Sequence, residues 1–463
     1  MMKEKILLLN PPANSVCIRD YFCSKTSRSD YLFPPIDLLI LSGRLSQNYS
    51  IELMDAIVEK IQFHTALDKI SKMDLKAIIC LVGAVNWESD ITFVRRIKEV
   101  TSAKIICIGD CLLEKAKDLM SEYNYVDATL LDFSSADLLH YLNGDLNQIK
   151  NMVLRIDNVL IEKEIKRYRG HSFELPIPRH ELFQGKNYRL PFVRGKSFTV
   201  VLTDFGCPFN CAFCVMPSLG YKYRQVDNII EELEYIHTLG IEEIFFADQS
   251  FGALKERNIH LCTQIIKRKL NFRWICFSRA DLLDRKSLEL MKQAGCHTII
   301  IGVESADPAI LKMYKKYEDI NYIKSVFELC RTMKISTVGT FIIGFPEDTR
   351  ESCLKTINFA KELNCDFASF HVAVPRAGTG LRKKAVQMDL IDWDLRSMDQ
   401  SGSIITMPSQ KLSKEELLQL RRKAVKEFYL RPRYLLNRII AIKSFKEIVE
   451  QMREGWYLLK DNI

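Results

Sequence analysis

The sequence predicts an α/β protein in three parts: a doubly wound, Rossmann-like parallel-sheet domain, a partial (β/α)6 TIM-like barrel, and a C-terminal helical extension. Three observations predict it. Short apolar runs alternate with amphipathic stretches from the start of the chain to about residue 145. The same alternation resumes near residue 191 and repeats six times. Between the two, the pattern lapses into LPIPRHELFQGKNYRLPF, with three prolines and a glycine. The expected boundaries are therefore 1–150, a linker at 151–190, a barrel at 191–400 and a helical region at 401–463. A chain of 463 residues, 47% hydrophobic and 27% charged, has the composition of a globular protein with more than one domain.

The elements follow in order. KILLL (5–9) is a buried strand stopped by Pro11–Pro12, and IDLLILSGRLSQN (36–48) is a helix. Strand SIELMDA, a helix near 57–72, strand KAIICLVGA, a helix near 88–101, strand AKIICIG and a helix near 111–122 continue the alternation. VDATLL and the short helix SADLLHYLNG close the first part. No GxGxxG follows the first strand, so ordinary dinucleotide binding is unsupported. In the second part the strands are SFTVVLTD, EEIFFAD, RWICFSR, TIIIGVE, STVGTFIIGF and FASFHVAV, with helices between them. Barrels of this kind carry their chemistry at the carboxyl ends of the strands.

Composition excludes several classes. The opening MMKEKILLLNPP lacks the long apolar core of an export signal, and no apolar run reaches the ~18 residues of a membrane span. A cytoplasmic location and reduced cysteines are the expectation. Of the formal +8 charge, most lies between Lys411 and Lys460, with 13 Lys and Arg against 6 Glu. The remainder is nearly balanced, which argues against a nucleic-acid partner. The tail reads as amphipathic helices, with a capping box at Ser413 and Glu416 and a break at Pro432. Two readings stand for it: helices capping the open barrel, or a peripheral contact with an anionic membrane through RRK, RPR, Phe428, Tyr429, Tyr434 and Trp456.

GCPFNCAFC (206–214) follows the first barrel strand and places Cys207, Cys211 and Cys214 at Cys-x3-Cys-x2-Cys spacing. The loop is too tight for a disulfide framework and one ligand short of a closed zinc site. Four-iron clusters take four thiolates, so three leave one iron open to an exchangeable ligand. A zinc site completed by a distant Cys or His, and three incidental cysteines in a turn, are the alternatives. Cys17 with Cys23, and Cys107 with Cys111, are poorly spaced for a second cluster.

With Phe213 before its last cysteine, this loop resembles the CxxxCxxC signature of the radical S-adenosylmethionine (SAM) superfamily. FFADQ (245–249), with Asp248 and Gln249, resembles the second-strand segment beside the SAM amino group. GVES (302–305) resembles the fourth-strand motif near the ribose, with Glu304 and Ser305. GFPEDT (344–349) resembles a later turn opened by Gly344, with Glu347 where glycine is common. The resemblance implies a 4Fe–4S cluster on the three cysteines, SAM cleaved to methionine and a 5′-deoxyadenosyl radical, and an electron donor such as flavodoxin or ferredoxin.

The front domain, the opening LLLNPP, PPIDLLILSGRL (34–45), the strand ending at Gly109 and the tail LRRKAVKEFYLRPRYLL resemble the subgroup with an N-terminal cobalamin-binding-type domain. That implies cobalamin as a further cofactor, bound without a histidine below the cobalt because no DxHxxG occurs, and methylation of an unactivated carbon. Radical rearrangement, cyclisation or oxidation without methyl transfer, and a non-catalytic iron–sulfur protein, are the rival readings. The substrate class stays open between small molecule, peptide and lipid. Two departures fall where a nucleotide tail or corrin needs close backbone approach: GDCLLEK after Gly109, and LLDFSSAD after the next strand. The segment CIRDYFCSKTSRSDY (17–31) reads as an ordered loop, either on the surface or over the domain interface.

Overall fold

The computed structural model describes residues 3–441 apart from 23, 28–30, 166, 397, 400 and 402–404, together with Met452 and Gly455. Strands Lys5–Asn10, Ser50–Asp55, Ala77–Leu81, Lys104–Ile108 and Ala128–Leu130 form a parallel sheet. Across the sheet they run second, first, third, fourth, fifth. This is a doubly wound order whose direction of winding reverses between the first and third strands. The first strand is apolar without alternation because both of its faces are covered: Ile6 and Leu8 enter one core, Leu7 and Leu9 the other.

One of these cores continues into the barrel. Helix Ile36–Leu45 is buried at every residue but Arg44, and its core also holds Val200, Phe245 and Ile275 from the barrel strands. A helix enclosed on all sides has no polar face, which explains the near-continuous apolar run read in the sequence. The barrel strands Phe198–Val201, Glu243–Phe246, Arg273–Ser278, Cys296–Glu304, Ser336–Ile343 and Phe367–Val372 lie in chain order and all pair in parallel. The sheet stays open between the first and the last. Its opposite face, with Phe246, Trp274 and Ile299, packs against the surrounding helices.

Three expectations need correction. Residues 151–190 are not an extended linker: Met152–Ile156 and Val159–Glu162 form an antiparallel hairpin on the edge of the first sheet, and Tyr168–Phe173 pairs with Gly220–Arg224 beside the cysteine loop. The helix expected near 57–72 begins only at Phe63, because the Asp55 carboxylate accepts the amides of Ile57 and Val58 and holds a turn. The helix expected near 111–122 is a short 3-10 turn, Asp110–Leu112, followed by Ala116–Glu122.

The capping box at Ser413 forms as read. Helix Lys414–Tyr429 lies against the last barrel strand, where Arg421 donates to the Phe370 carbonyl at 3.1 Å and Tyr429 to that of Ala368 at 2.7 Å. The first part of the tail thus caps the open barrel. Trp456 and Cys23 fall outside the described residues. The other aromatic residues of the membrane-facing reading pack on the barrel: Phe428 is buried, and Tyr429 and Tyr434 donate to the Ala368 and Asp366 carbonyls. Among the described residues no helix is long and apolar enough to cross a membrane.

Candidate active site

Asp204–Gly206 and Gly220–Arg224 pair antiparallel and form the neck of the cysteine loop. Midway, the Ala212 amide donates to the Tyr314 carbonyl at 2.9 Å, and the Leu381 amide donates to the Ala212 carbonyl at 2.8 Å. Three separate elements therefore fix a segment that has almost no regular structure of its own. Below it, the buried Asp248 carboxylate accepts from the Thr203 amide and hydroxyl and from the Asp204 amide, at 2.6, 2.5 and 2.9 Å. Burial and the neighbouring Asp248 push the Asp204 carboxyl up to about 7, against the pull of Arg257 at 2.6 Å.

All three cysteines line one cavity of about 270 Å³ at the carboxyl ends of the barrel strands. The Cys207 thiol lies 3.4 Å from the Ser250 hydroxyl, and Arg279 donates to the Cys211 sulfur at 3.5 Å. Burial pushes both thiols up, while Arg279 and Lys316 pull the other way. Lys316 is buried and lies 2.9 Å from Glu318 and 3.6 Å from Glu304. Burial alone pulls this ammonium down, but the two carboxylates outweigh it and hold it above its ordinary value. Glu304 is itself pushed up by burial, with Lys316 opposing.

Glu304 stands at φ +65° beside a bulge in its strand. Its side chain folds back over Gly302, where a Cβ would lie 2.4 Å from the Glu304 Oε1 and 3.1 Å from the Lys316 Nζ. A side chain at 302 would therefore require the Glu304 carboxylate to swing away from Lys316. A carboxylate held in a left-handed conformation by a buried lysine has the fixed aim expected of a ligand contact. Glu304→Gln is expected to retain the cluster and weaken SAM binding by about 1–3 kcal/mol, checked by SAM titration of the reconstituted protein.

Of the other residues read from the sequence, Phe213 and Gln249 also line the cavity. Asp248 faces the neck of the loop, as described above. Ser305 is buried toward helix Arg350–Leu363, with its hydroxyl 3.4 Å from that of Thr356. Gly344 donates its amide to Asp348 at 2.9 Å and packs on Leu417. Gly109 is not among the residues lining the cavity, and its reason differs from the one expected. A Cβ there would lie 1.7 Å from the Val82 carbonyl oxygen, so glycine serves the packing of two adjacent strands. Gly109→Leu would strike that carbonyl and is therefore no clean probe of ligand space.

Sequence reasoning missed Arg279, Lys316, Ser250 and His371. Arg279 carried a usable signal, a charge directly after the apolar strand RWICFS. Lys316 carried none, because MYKKYED reads as a solvated surface turn. The front domain also contributes to the lining, through Asp20, Phe22 and Lys25 of the 17–31 segment and through Phe33 and Ile36, which sequence reasoning did not place there. The 17–31 segment, insofar as it is described, lies over the interface.

The donor set fits a cluster and SAM. Among the described residues no three His, Cys, Asp or Glu side chains converge as a single metal ion requires. A cubane takes each thiolate on a different iron, and all three thiol residues line the one cavity. Gln249, Ser250, Glu304, Arg279 and Lys316 offer hydrogen bonds and charge to a zwitterionic nucleoside, and Phe213, Phe245 and Phe345 offer apolar surface. In this conformation the crevice of the front sheet, where a nucleotide tail would enter, is occupied by the hairpin of Cys17–Ile18 and Lys25–Thr26.

The radical SAM superfamily profile matches residues 202–360. An uncharacterized methyltransferase of Pyrococcus horikoshii, PH0819, is 30% identical over 96% of both chains. Among solved structures, the radical SAM methyltransferase TsrM of Kitasatospora setae, with cobalamin and a [4Fe–4S] cluster, superposes with a TM-score of 0.64. It is 16% identical, over 84% of this chain and 75% of that one. The cobalamin-dependent SAM radical enzyme OxsB, with aqua-cobalamin, gives 0.71 at 14% identity, over 100% of this chain and 72% of that one. At these identities the two structures bear on the fold.

Proposed function

Because this chain belongs to the radical SAM superfamily, we propose that it cleaves SAM on a cluster held by Cys207, Cys211 and Cys214 and methylates an unactivated carbon of its substrate. The observation that carries the reading is one cavity holding three thiols, two buried cations and a strained carboxylate at the carboxyl ends of the barrel. The likeness to a methyltransferase along nearly the whole chain supports the methyl transfer.

When bound, the cluster supplies the electron that breaks the sulfonium C–S bond of SAM, giving methionine and a 5′-deoxyadenosyl radical. The chain's own residues do the rest. Arg279 and Lys316 offset the negative charge that thiolates and a SAM carboxylate bring into a buried site. Glu304 accepts from ribose hydroxyls, and Gln249 and Ser250 offer an amide and a hydroxyl to the amino-acid end. Phe22, Phe33 and Ile36 close the cavity from above and keep water from a reactive intermediate. A corrin bound without its nucleotide tail seated would supply the methyl carrier between a second SAM, left as S-adenosylhomocysteine, and the substrate carbon; cobalamin is named in the two solved neighbours. The filled crevice favours a second reading, in which the radical rearranges, cyclises or oxidises the substrate without methyl transfer.

The test uses SAM with a deuterated methyl group, the cluster-loaded protein, a flavodoxin reductant and a small-molecule extract. Methyl transfer is expected to yield 5′-deoxyadenosine, S-adenosylhomocysteine and a product carrying the label. 5′-Deoxyadenosine with methionine and no labelled product would establish the second reading. A cluster-loaded protein that releases no 5′-deoxyadenosine would overturn both.

A further inference from the structure

The front sheet reverses its winding between strands Lys5–Asn10 and Ala77–Leu81, and doubly wound sheets receive nucleotides in the crevice beyond such a point. Here that crevice holds a small hairpin, Cys17–Ile18 paired with Lys25–Thr26. Arg19 lies in its centre. It donates to both carboxylate oxygens of Asp90 at 2.8 and 2.7 Å, to the Asn10 side-chain oxygen at 2.8 Å and to the Pro11 carbonyl at 2.8 Å. Neither side chain of the Arg19–Asp90 pair has any exposed surface. Asn10 ends the first strand and Asp90 lies in the first turn of the helix that follows the third, so the pair spans the reversal point itself.

Its neighbours close the rest of the crevice. The Ser24 amide and hydroxyl both donate to Asp110, at 3.0 and 2.7 Å, and the other Asp110 oxygen accepts from the Ala84 amide at 3.0 Å. Arg376 of the barrel donates to the same carboxylate at 2.8 Å. Tyr21 donates to the Leu131 carbonyl and stacks edge-on with Phe133 at 5.1 Å between ring centres. Cys17, Tyr21 and Ser24 have no measurable exposure. The two places where the sequence departs from the cobalamin subgroup, Asp110 and the turn after Leu130, are both among the places this hairpin grips. A glycine at 110 would leave Ser24 and Arg376 without their shared acceptor.

We infer that this hairpin is the permanent occupant of the crevice, so that the front domain takes no nucleotide tail and serves instead as the upper wall of the barrel cavity. Displacing it would strand a buried ion pair, which is far more costly than moving a solvated loop. The inference does not depend on methyl transfer. A corrin that binds this protein does so without seating its tail, and an upper wall that meets only substrate is equally compatible.

Titration of the intact, cluster-loaded protein with hydroxocobalamin and with cobinamide, which lacks the nucleotide tail, separates the cases by visible absorption. Hydrogen exchange of the amides of residues 17–22 is followed in the same samples. Equal affinities within about threefold, or no binding of either, with exchange unchanged, is the expected result. Failure of both corrins to bind would remove corrin-dependent methylation while leaving the hairpin assignment intact. Cobalamin binding more than about tenfold tighter than cobinamide, with faster exchange at residues 17–22, would overturn the assignment.

Discussion

Replacement of Cys207, Cys211 or Cys214 by Ala is expected to abolish 5′-deoxyadenosine formation and to remove most of the iron and sulfide from anaerobically reconstituted protein. In the proposed cluster each thiolate would serve a separate iron, so loss of any one would remove that iron's protein ligand. The triple variant is expected to hold no cluster at all, and retention of full iron and sulfide in it would end the radical SAM reading. Cys262→Ala and Cys330→Ala provide the contrast. Both thiols are buried among apolar side chains on the helix-covered face of the barrel, remote from the cavity. Their iron content is expected to match the parent protein, at the cost of a small cavity in the core.

Arg19→Met is expected to destabilise the front domain by about 3–5 kcal/mol, because it leaves the buried Asp90 carboxyl with, among the described residues, only the Gly83 amide as a hydrogen-bond donor. Lys72→Ala removes an ion pair of the same 2.7 Å length, Lys72–Asp68, whose side chains are 71% and 61% exposed. That loss is expected to stay within about 1 kcal/mol. Urea unfolding of both variants, followed by a probe in the first domain, measures the difference. Equal effects would mean that Arg19 is not held as described, and the occupied crevice would lose its main support. The comparison is informative because the distance is constant and only the solvent changes.

Much of this was legible without coordinates. Strand and helix order in both domains follows from apolar runs, because burial on both faces of a parallel strand forces a continuous apolar segment. The cysteine loop was legible for a related reason: all its ligands lie within eight residues, so spacing alone carries the chemistry. Motif matching named Asp248 and Gln249 together, and Glu304 and Ser305 together. It could not say that Gln249 and Glu304 enter the cavity while their neighbours do not. Adjacent residues at a strand end point in different directions, and the register and bulge that choose between them arise from pairing with distant strands.

The cysteine spacing, the order of the two domains and the departures at Asp110 and LLDFSSAD can be read along the chain. What those departures mean emerges from contacts between distant segments. Asp110 reads as an intrusive charge along the chain, yet in space it joins Ser24 and Arg376, residues 86 and 266 positions away. Lys316 reads as a surface lysine, yet it is buried between Glu304 and Glu318 at the rim of the thiol cavity. Local sequence encodes what a segment can bond to. Which of those bonds is worth making depends on how completely water is excluded, and that is set by chain segments far away in the sequence.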